Sequence, residues 1–179
     1  PTGHVFSKAE IHDFAEIADE KDLLVISDEI WSDLILGNKS HLPLADYGTG
    51  LRERTVTIGS ASKTFNLAGA RCSVAHVGHL PTIEKIDLFP EHFLGQPSSF
   101  GAAATVAAWT YGKPWLEETK EKLRLNRSYV YDKFKSSDVR MHKPEATYLA
   151  WLDFSQTEIF ENPAKHLLKE AKVALEPGS

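Results

Sequence analysis

The chain is poor in sulfur: one cysteine, Cys72, and one methionine occur in 179 residues. A lone cysteine has no partner within the chain, which excludes an internal disulfide framework, and its strand-like neighbours mark it as a buried thiol in a reducing, cytoplasmic compartment. Long apolar runs are missing too. Nothing approaches the roughly 18 consecutive apolar residues of a membrane-spanning helix. A basic excess is also absent: Lys and Arg number 20 against 25 Asp and Glu, for a formal net charge of −5, which argues against a surface built to neutralise nucleic-acid phosphates. The most basic stretch, Lys120 to Arg127, is interleaved with Glu117, Glu118 and Glu121. The Glu118–Lys122 spacing of four belongs to a solvated helix face. No internal repeat or low-complexity tract occurs, no initiator Met is present, and Pro1-Thr2-Gly3 has neither the basic start nor the apolar stretch of a signal peptide. The far end stops just after Val173-Ala174-Leu175. Both ends are expected to be interior points of a longer protein.

The remaining composition, 42% hydrophobic and 25% charged, is that of an ordinary globular protein. Ser7 and Glu10 form a capping box ahead of Ile11, Phe14, Ala15, Ile17 and Ala18 at helical spacing, and Lys21-Asp22 closes that helix. Leu23 to Ile26 is an unbroken apolar run, which suits a parallel strand buried on both faces. It leads into Ser27-Asp28-Glu29-Ile30-Trp31. A loop-rich region from Leu36 to Gly50 follows, then a second strand, Thr55 to Gly59, and a third apolar run, Cys72 to Val77. Helices are expected over Thr82 to His92, Ser98 to Tyr111, Trp115 to Phe134 and Asn162 to Ala171, and a strand over Tyr148 to Phe154. Leu116, Leu123, Val130 and Phe134 give the long helix an apolar face for core packing. The fold class is α/β: residues 1–113 form part of a large domain with a mainly parallel sheet, and residues 114–179 part of a smaller α+β domain, with the break near Gly112-Lys113-Pro114.

In such sheets ligands bind beyond the carboxyl ends of the strands, and both Asp28 and Lys63 fall there. Lys63 follows the second strand within Ser60-Ala61-Ser62-Lys63-Thr64. A lysine in that position can be desolvated, which makes its amine nucleophilic, and can form an imine with an aldehyde. Ser60, Ser62 and Arg71 supply the hydroxyls and the planar guanidinium that hold a phosphate. Pyridoxal 5'-phosphate (PLP) is an aldehyde bearing a phosphate. Asp28 supplies the acid that such a cofactor needs opposite its ring nitrogen. Opposite charges about 4 Å apart attract by roughly 4 kcal/mol at an effective dielectric near 20, about three pKa units, enough to keep a pyridine nitrogen protonated. The pair His76 and His79 lacks a nearby acid, and two strand residues three apart point to opposite faces, so no metal site is assigned.

Asp28-Glu29-Ile30 followed by Ser60-Ala61-Ser62-Lys63-Thr64-Phe65-Asn66-Leu67-Ala68-Gly69-Ala70-Arg71 resembles the class I/II aminotransferase superfamily of fold-type I PLP enzymes. Ser27 to Leu34, Ser62 to Gly69 and Ala146 to Asp153 resemble most its MalY/PatB group of cysteine-S-conjugate (cystathionine) β-lyases. The resemblance implies that Lys63 is the Schiff-base and catalytic lysine, that Asp28 is the partner of the pyridine nitrogen, and that Ser60, Ser62 and Arg71 are phosphate contacts. It also implies a small amino-acid substrate and a homodimer. The implied reaction is β-elimination at a C–S bond, with transamination as the alternative, and a catalytically incomplete piece of an enzyme as another. Pro1-Thr2-Gly3 is similar to the family's Asn-Pro-x-Gly turn without its Asn. Two features depart from the pattern. Trp31 stands where aminotransferases place a tyrosine, and the family's N-terminal half and carboxylate-binding arginine have no counterpart between Pro1 and Ser179.

Overall fold

A computed structural model of the chain describes residues 2–90 and 92–178. The opening turn at Pro1, the Glu91 part of the helix expected over Thr82 to His92 and the terminal Ser179 lie outside the described residues. Helix α1 runs Lys8–Glu20. Its capping box is made in full: the Ser7 N–H donates to Glu10 Oε2 at 2.8 Å and the Glu10 N–H to Ser7 Oγ at 3.3 Å. The Ser7 N–H and, after it, the Ser7 hydroxyl, which donates to the same carboxylate oxygen at 2.7 Å, hold the exposed Glu10 carboxyl at a pKa of about 2. Ala18 of α1, Val25 of β1 (Val25–Asp28) and Leu51 of α2 (Thr49–Arg52) form a small core, flanked by Ala15 and Leu44.

Strand β2 (Thr55–Gly59) lies parallel to β1, with Val25 opposite Thr55 and Asp28 opposite Ile58. After the short helix α3 (Ala61–Thr64), β3 (Val74–Val77) returns antiparallel to β2. The described sheet, in the order β1-β2-β3, is therefore mixed, with one parallel pair and an antiparallel edge strand. It is also not covered on both faces: Ile26 is 68% and Val74 50% exposed.

Helix α4 covers Leu80–Ile86 and stops short of the expectation. Pro90 disfavours helical backbone at Phe89. Ser98 caps α5 (Ser99–Tyr111), and a single residue, Gly112, separates it from α6 (Lys113–Phe134). The Glu118–Lys122 ion pair forms at 2.9 Å on α6. Leu116, Leu123, Val130 and Phe134 are half-buried. The expected strand Tyr148 to Phe154 shrinks to β5 (Leu152–Asp153), because the antiparallel partner β4 (Arg140–Met141) offers two residues only. Asn162 caps α7 (Pro163–Glu170).

The segment around Glu145 is stitched back onto the large sheet. The Glu145 and Ala146 N–H groups donate to the Gly3 carbonyl at 2.9 and 3.0 Å, and the Thr147 N–H donates to Leu34 O at 2.8 Å. Gly3 has φ +69°, and a Cβ there would collide with Pro144 and Ala146, so only glycine fits. This stitching brings the residues after Ala146 beside the carboxyl end of β1.

Candidate active site

Asp28 ends β1, and its Oδ1 accepts the Ile30 N–H at 3.2 Å in a side-chain-capped turn. The second carboxylate oxygen has no protein partner among the described residues. The neighbouring Glu29 is engaged instead. Its carboxylate, 10% exposed, accepts from His41 Nε2 at 2.6 Å, Ser27 Oγ at 2.8 Å and the Leu44 N–H at 3.1 Å. Burial pushes the Glu29 pKa up, but the hydrogen bonds from His41, Leu44 and Ser27 outweigh it and leave the pKa below its ordinary value. Sequence reasoning did not single out Glu29 and His41 as a pair. They stand twelve residues apart across an irregular loop, and no local pattern links them. Two acids in succession at a strand end were the available signal.

Ser60 is the N-cap of α3, and its hydroxyl is fully engaged. It accepts from the Ser62 N–H at 3.1 Å, lies 2.7 Å from the Ser62 hydroxyl and donates to the Cys72 carbonyl at 2.6 Å. Ser60 and Ser62 thus meet around a helix cap rather than along a strand face. Arg71 follows a short 3₁₀ turn, Ala68–Ala70, with φ +51° and ψ +47°. A non-glycine residue in this left-handed region costs on the order of 1–3 kcal/mol and clusters at functional sites. Its guanidinium is exposed and has no hydrogen-bond or ion-pair partner among the described residues. Lys63, third in α3, has no carboxylate within ion-pairing distance among the described residues. Its Nζ sits 5.6 Å from the centroid of the Trp31 ring, a cation–π contact. Tyr148 meets Trp31 edge-on, with ring centroids 4.6 Å apart at 63°.

A cleft of about 360 Å³ opens beyond β1 and is lined by Phe6, Phe14, Ile26, Asp28, Trp31 and Thr147 among others. The structure therefore brings Asp28 and Lys63 to the ends of adjacent parallel strands, with Ser60, Ser62 and Arg71 around the turn that follows Lys63. Asp28 and Trp31 line the cleft, whereas Lys63, Ser60, Ser62 and Arg71 lie outside its lining. Among the described residues no group of His, Cys, Asp and Glu is arranged to hold a metal ion. His79 instead bonds Thr82 Oγ1 at 2.8 Å through Nδ1.

The whole chain, residues 1–179, matches the family model described as aminotransferase class I and II. The chain belongs to that family. Among its curated relatives, the cystathionine β-lyase PatB of Bacillus subtilis is 33% identical over 183 residues, covering 100% of this chain and 47% of PatB. The aspartate aminotransferase of Bacillus subtilis is 28% identical, over 100% of this chain and 47% of that enzyme. Among solved structures, the PLP-bound C–S lyase of Staphylococcus hominis aligns with a TM-score of 0.88 at 32% identity, covering 99% of this chain and 46% of that one. The chain thus spans about half the length of the relatives it matches, and the mixed α/β architecture is part of a fold-type I PLP-enzyme large domain. This family member has side chains that fit PLP. Among the described residues, Lys63 is an amine without an acidic partner, Asp28 keeps an open carboxylate oxygen and Arg71 an unpaired guanidinium, and the Ser62 hydroxyl lies in the same turn. The Thr64 hydroxyl, next to Lys63, is buried with no hydrogen-bond partner.

Proposed function

We propose that this chain carries part of the active site of a PLP-dependent lyase that cleaves the C–S bond of cystathionine or cysteine S-conjugates by β-elimination, giving pyruvate, ammonia and a thiol. The observation that carries the proposal is the placement of Lys63, free of any acidic partner, beside the strand that ends in Asp28. Asp28 would hold the proton on the ring nitrogen of PLP, Ser62 and Arg71 would hold its phosphate, joined by Ser60 once its hydroxyl exchanges the Cys72 carbonyl for a phosphate oxygen, and Lys63 would hold its aldehyde carbon. PLP supplies, when bound, an electron sink for the pair left at the substrate's Cα. The freed Lys63 amine takes the Cα proton as general base. The Cβ–S bond then breaks with both electrons leaving on sulfur, and water completes the release of pyruvate and ammonia.

Transamination would use the same residues, with Lys63 carrying the Cα proton. Trp31 favours elimination over transamination, because an indole cannot copy the phenol that aminotransferases place there. The division into residues 1–113 and 114–179 belongs to the same proposal, supported by the start of α6 at Lys113 and by the separate two-stranded sheet, β4-β5, that follows it. So do a cytoplasmic location and a homodimer, the latter supported by the exposed apolar side chains of Leu88, Phe89, Phe93, Leu94 and Phe100. Among the described residues no helix is long and apolar enough to cross a membrane.

Two measurements test this reading. Full-length enzyme with added PLP is expected to show an absorbance band at roughly 420 nm that Lys63→Ala abolishes. A band that survives the substitution contradicts the role of Lys63. Cystathionine is expected to yield pyruvate and free thiol in equal amounts. Keto acid formed only when an amino-group acceptor is supplied contradicts β-elimination.

A further inference from the structure

We propose that His41 is a positioning residue for the cofactor site: through Glu29 it holds the carboxylate of Asp28 where the ring nitrogen of PLP is bound. The inference rests on the assignment of Asp28 as the partner of that nitrogen. His41 acts through Glu29 rather than by bonding Asp28 itself.

Asp28 and Glu29 are consecutive but differently held. The Asp28 carboxylate accepts one hydrogen bond, from the Ile30 N–H at 3.2 Å, and its other oxygen is open among the described residues. One such bond leaves a carboxylate free to turn. Glu29 is engaged at every polar group. Its N–H donates to the Ile58 carbonyl at 2.8 Å, its carbonyl accepts the Ser32 N–H at 3.0 Å, and its carboxylate accepts from Ser27, His41 and Leu44. The Asp28 backbone and the Ile30 N–H that caps it flank Glu29 on either side, so the placing of Glu29 sets both ends of the Asp28 turn.

Among the three donors to Glu29, Ser27 lies on β1 and moves with it. His41 and the Leu44 N–H come from the loop beyond Leu36, which is anchored at both ends. Leu36 is buried and its N–H donates to the Glu145 carbonyl at 2.7 Å, while Lys39 Nζ donates to the Val5 carbonyl at 3.2 Å and pairs with Glu145 at 2.9 Å. The far end enters the 3₁₀ turn Leu44–Asp46, where Ala45 is buried. His41 makes the shortest of the three bonds, 2.6 Å, and hydrogen bonds to an ionised carboxylate are the strong ones. A carboxylate only 10% exposed that loses this donor is left with desolvation uncompensated. It regains hydration by turning outward, and the Asp28 turn moves with it.

The test uses the full-length enzyme stripped of PLP, with PLP affinity read by absorbance titration in a double-mutant cycle. Asp28→Asn is expected to weaken binding at least about tenfold. His41→Ala is expected to weaken it about tenfold beside Asp28, but less than about twofold in the Asp28→Asn background. His41→Gln keeps an N–H donor and is expected to bind PLP within about threefold of wild type. An equal loss in both backgrounds overturns the proposal, as does a His41→Ala affinity unchanged within about twofold. If His41→Ala fails to fold, Glu29→Gln takes its place in the same cycle: a loss confined to the Asp28 background supports the role, and an equal loss overturns it. The readings fail separately. Asp28→Asn with unchanged affinity removes the assignment of Asp28 and the positioning role together. A coupled loss in an enzyme that makes no pyruvate from cystathionine keeps the positioning role and removes β-elimination alone.

Discussion

Glu29 shows how one side chain can position another. Its carboxylate ties the end of β1 to the loop through His41 and the Leu44 N–H, and Asp28 is the residue before it. Gln at position 29 keeps the shape but removes the charge that these donors meet. Glu29→Gln is therefore expected to lower unfolding stability by about 1–3 kcal/mol at pH 7, measured by urea titration of the full-length enzyme, and to weaken PLP binding by loosening Asp28. The sign of the pH dependence follows from the lowered folded-state pKa. The Glu29 contribution is fully present above the ordinary carboxyl value of 4.5 and is lost as pH falls below it. Acidification below that value should therefore destabilise the wild-type enzyme more than Glu29→Gln, and parallel acid limbs for the two proteins would contradict this role. At this scale the sequence showed the groups with chemistry of their own. Lys63, Asp28 and Arg71 are each ambiguous alone, and only their joint order and spacing singled them out as the proposed cofactor contacts. His41 and Tyr148 were not legible as site residues, because what matters in each is the partner it meets across the fold.

Elements were legible where a cap announced them. Ser7, Ser98 and Asn162 each accept a backbone N–H at the start of their helix, and all three helices were expected within a residue or two. Elements that depend on a partner were less so. A strand needs a neighbour along its whole length, and Tyr148 to Trp151 have none in the described sheet. Close packing between elements also shapes the site. A Cβ at Gly101 would collide with the carbonyl of Ala70, so the first turn of α5 is pressed against the turn that presents Arg71. Gly101→Ala is expected to force the two apart, at about 1–3 kcal/mol of stability, and to weaken PLP binding in an absorbance titration. A variant with unchanged affinity for PLP would show that this contact does not support the Arg71 turn.

On the scale of the whole molecule, apolar surface is abundant. Leu88 is 84%, Leu94 67% and Phe100 87% exposed, and Phe89 stacks on Phe93 with ring centroids 4.7 Å apart. Exposed apolar side chains gathered over residues 88–100 mark a face built to be covered, and a second copy of the enzyme is its proposed occupant. Replacing Leu88 and Phe100 together with Asp is expected to convert dimer to monomer in sedimentation velocity of the full-length enzyme. A dimer that persists unchanged would place the interface elsewhere. The sequence by itself determined the family and pointed to its cofactor: a lysine, an acid, an arginine and two serines in an order and spacing proposed to serve a phosphorylated aldehyde. It determined this because reactivity belongs to side-chain type and local backbone position. Only the tertiary structure decided that β3 runs antiparallel, that Ser60 is engaged by the Cys72 carbonyl, that Glu29 is clamped by His41, and that Tyr148 fixes Trp31 beside Lys63. Each of these is a contact between residues distant in the chain, and such contacts are set by packing rather than by any local pattern.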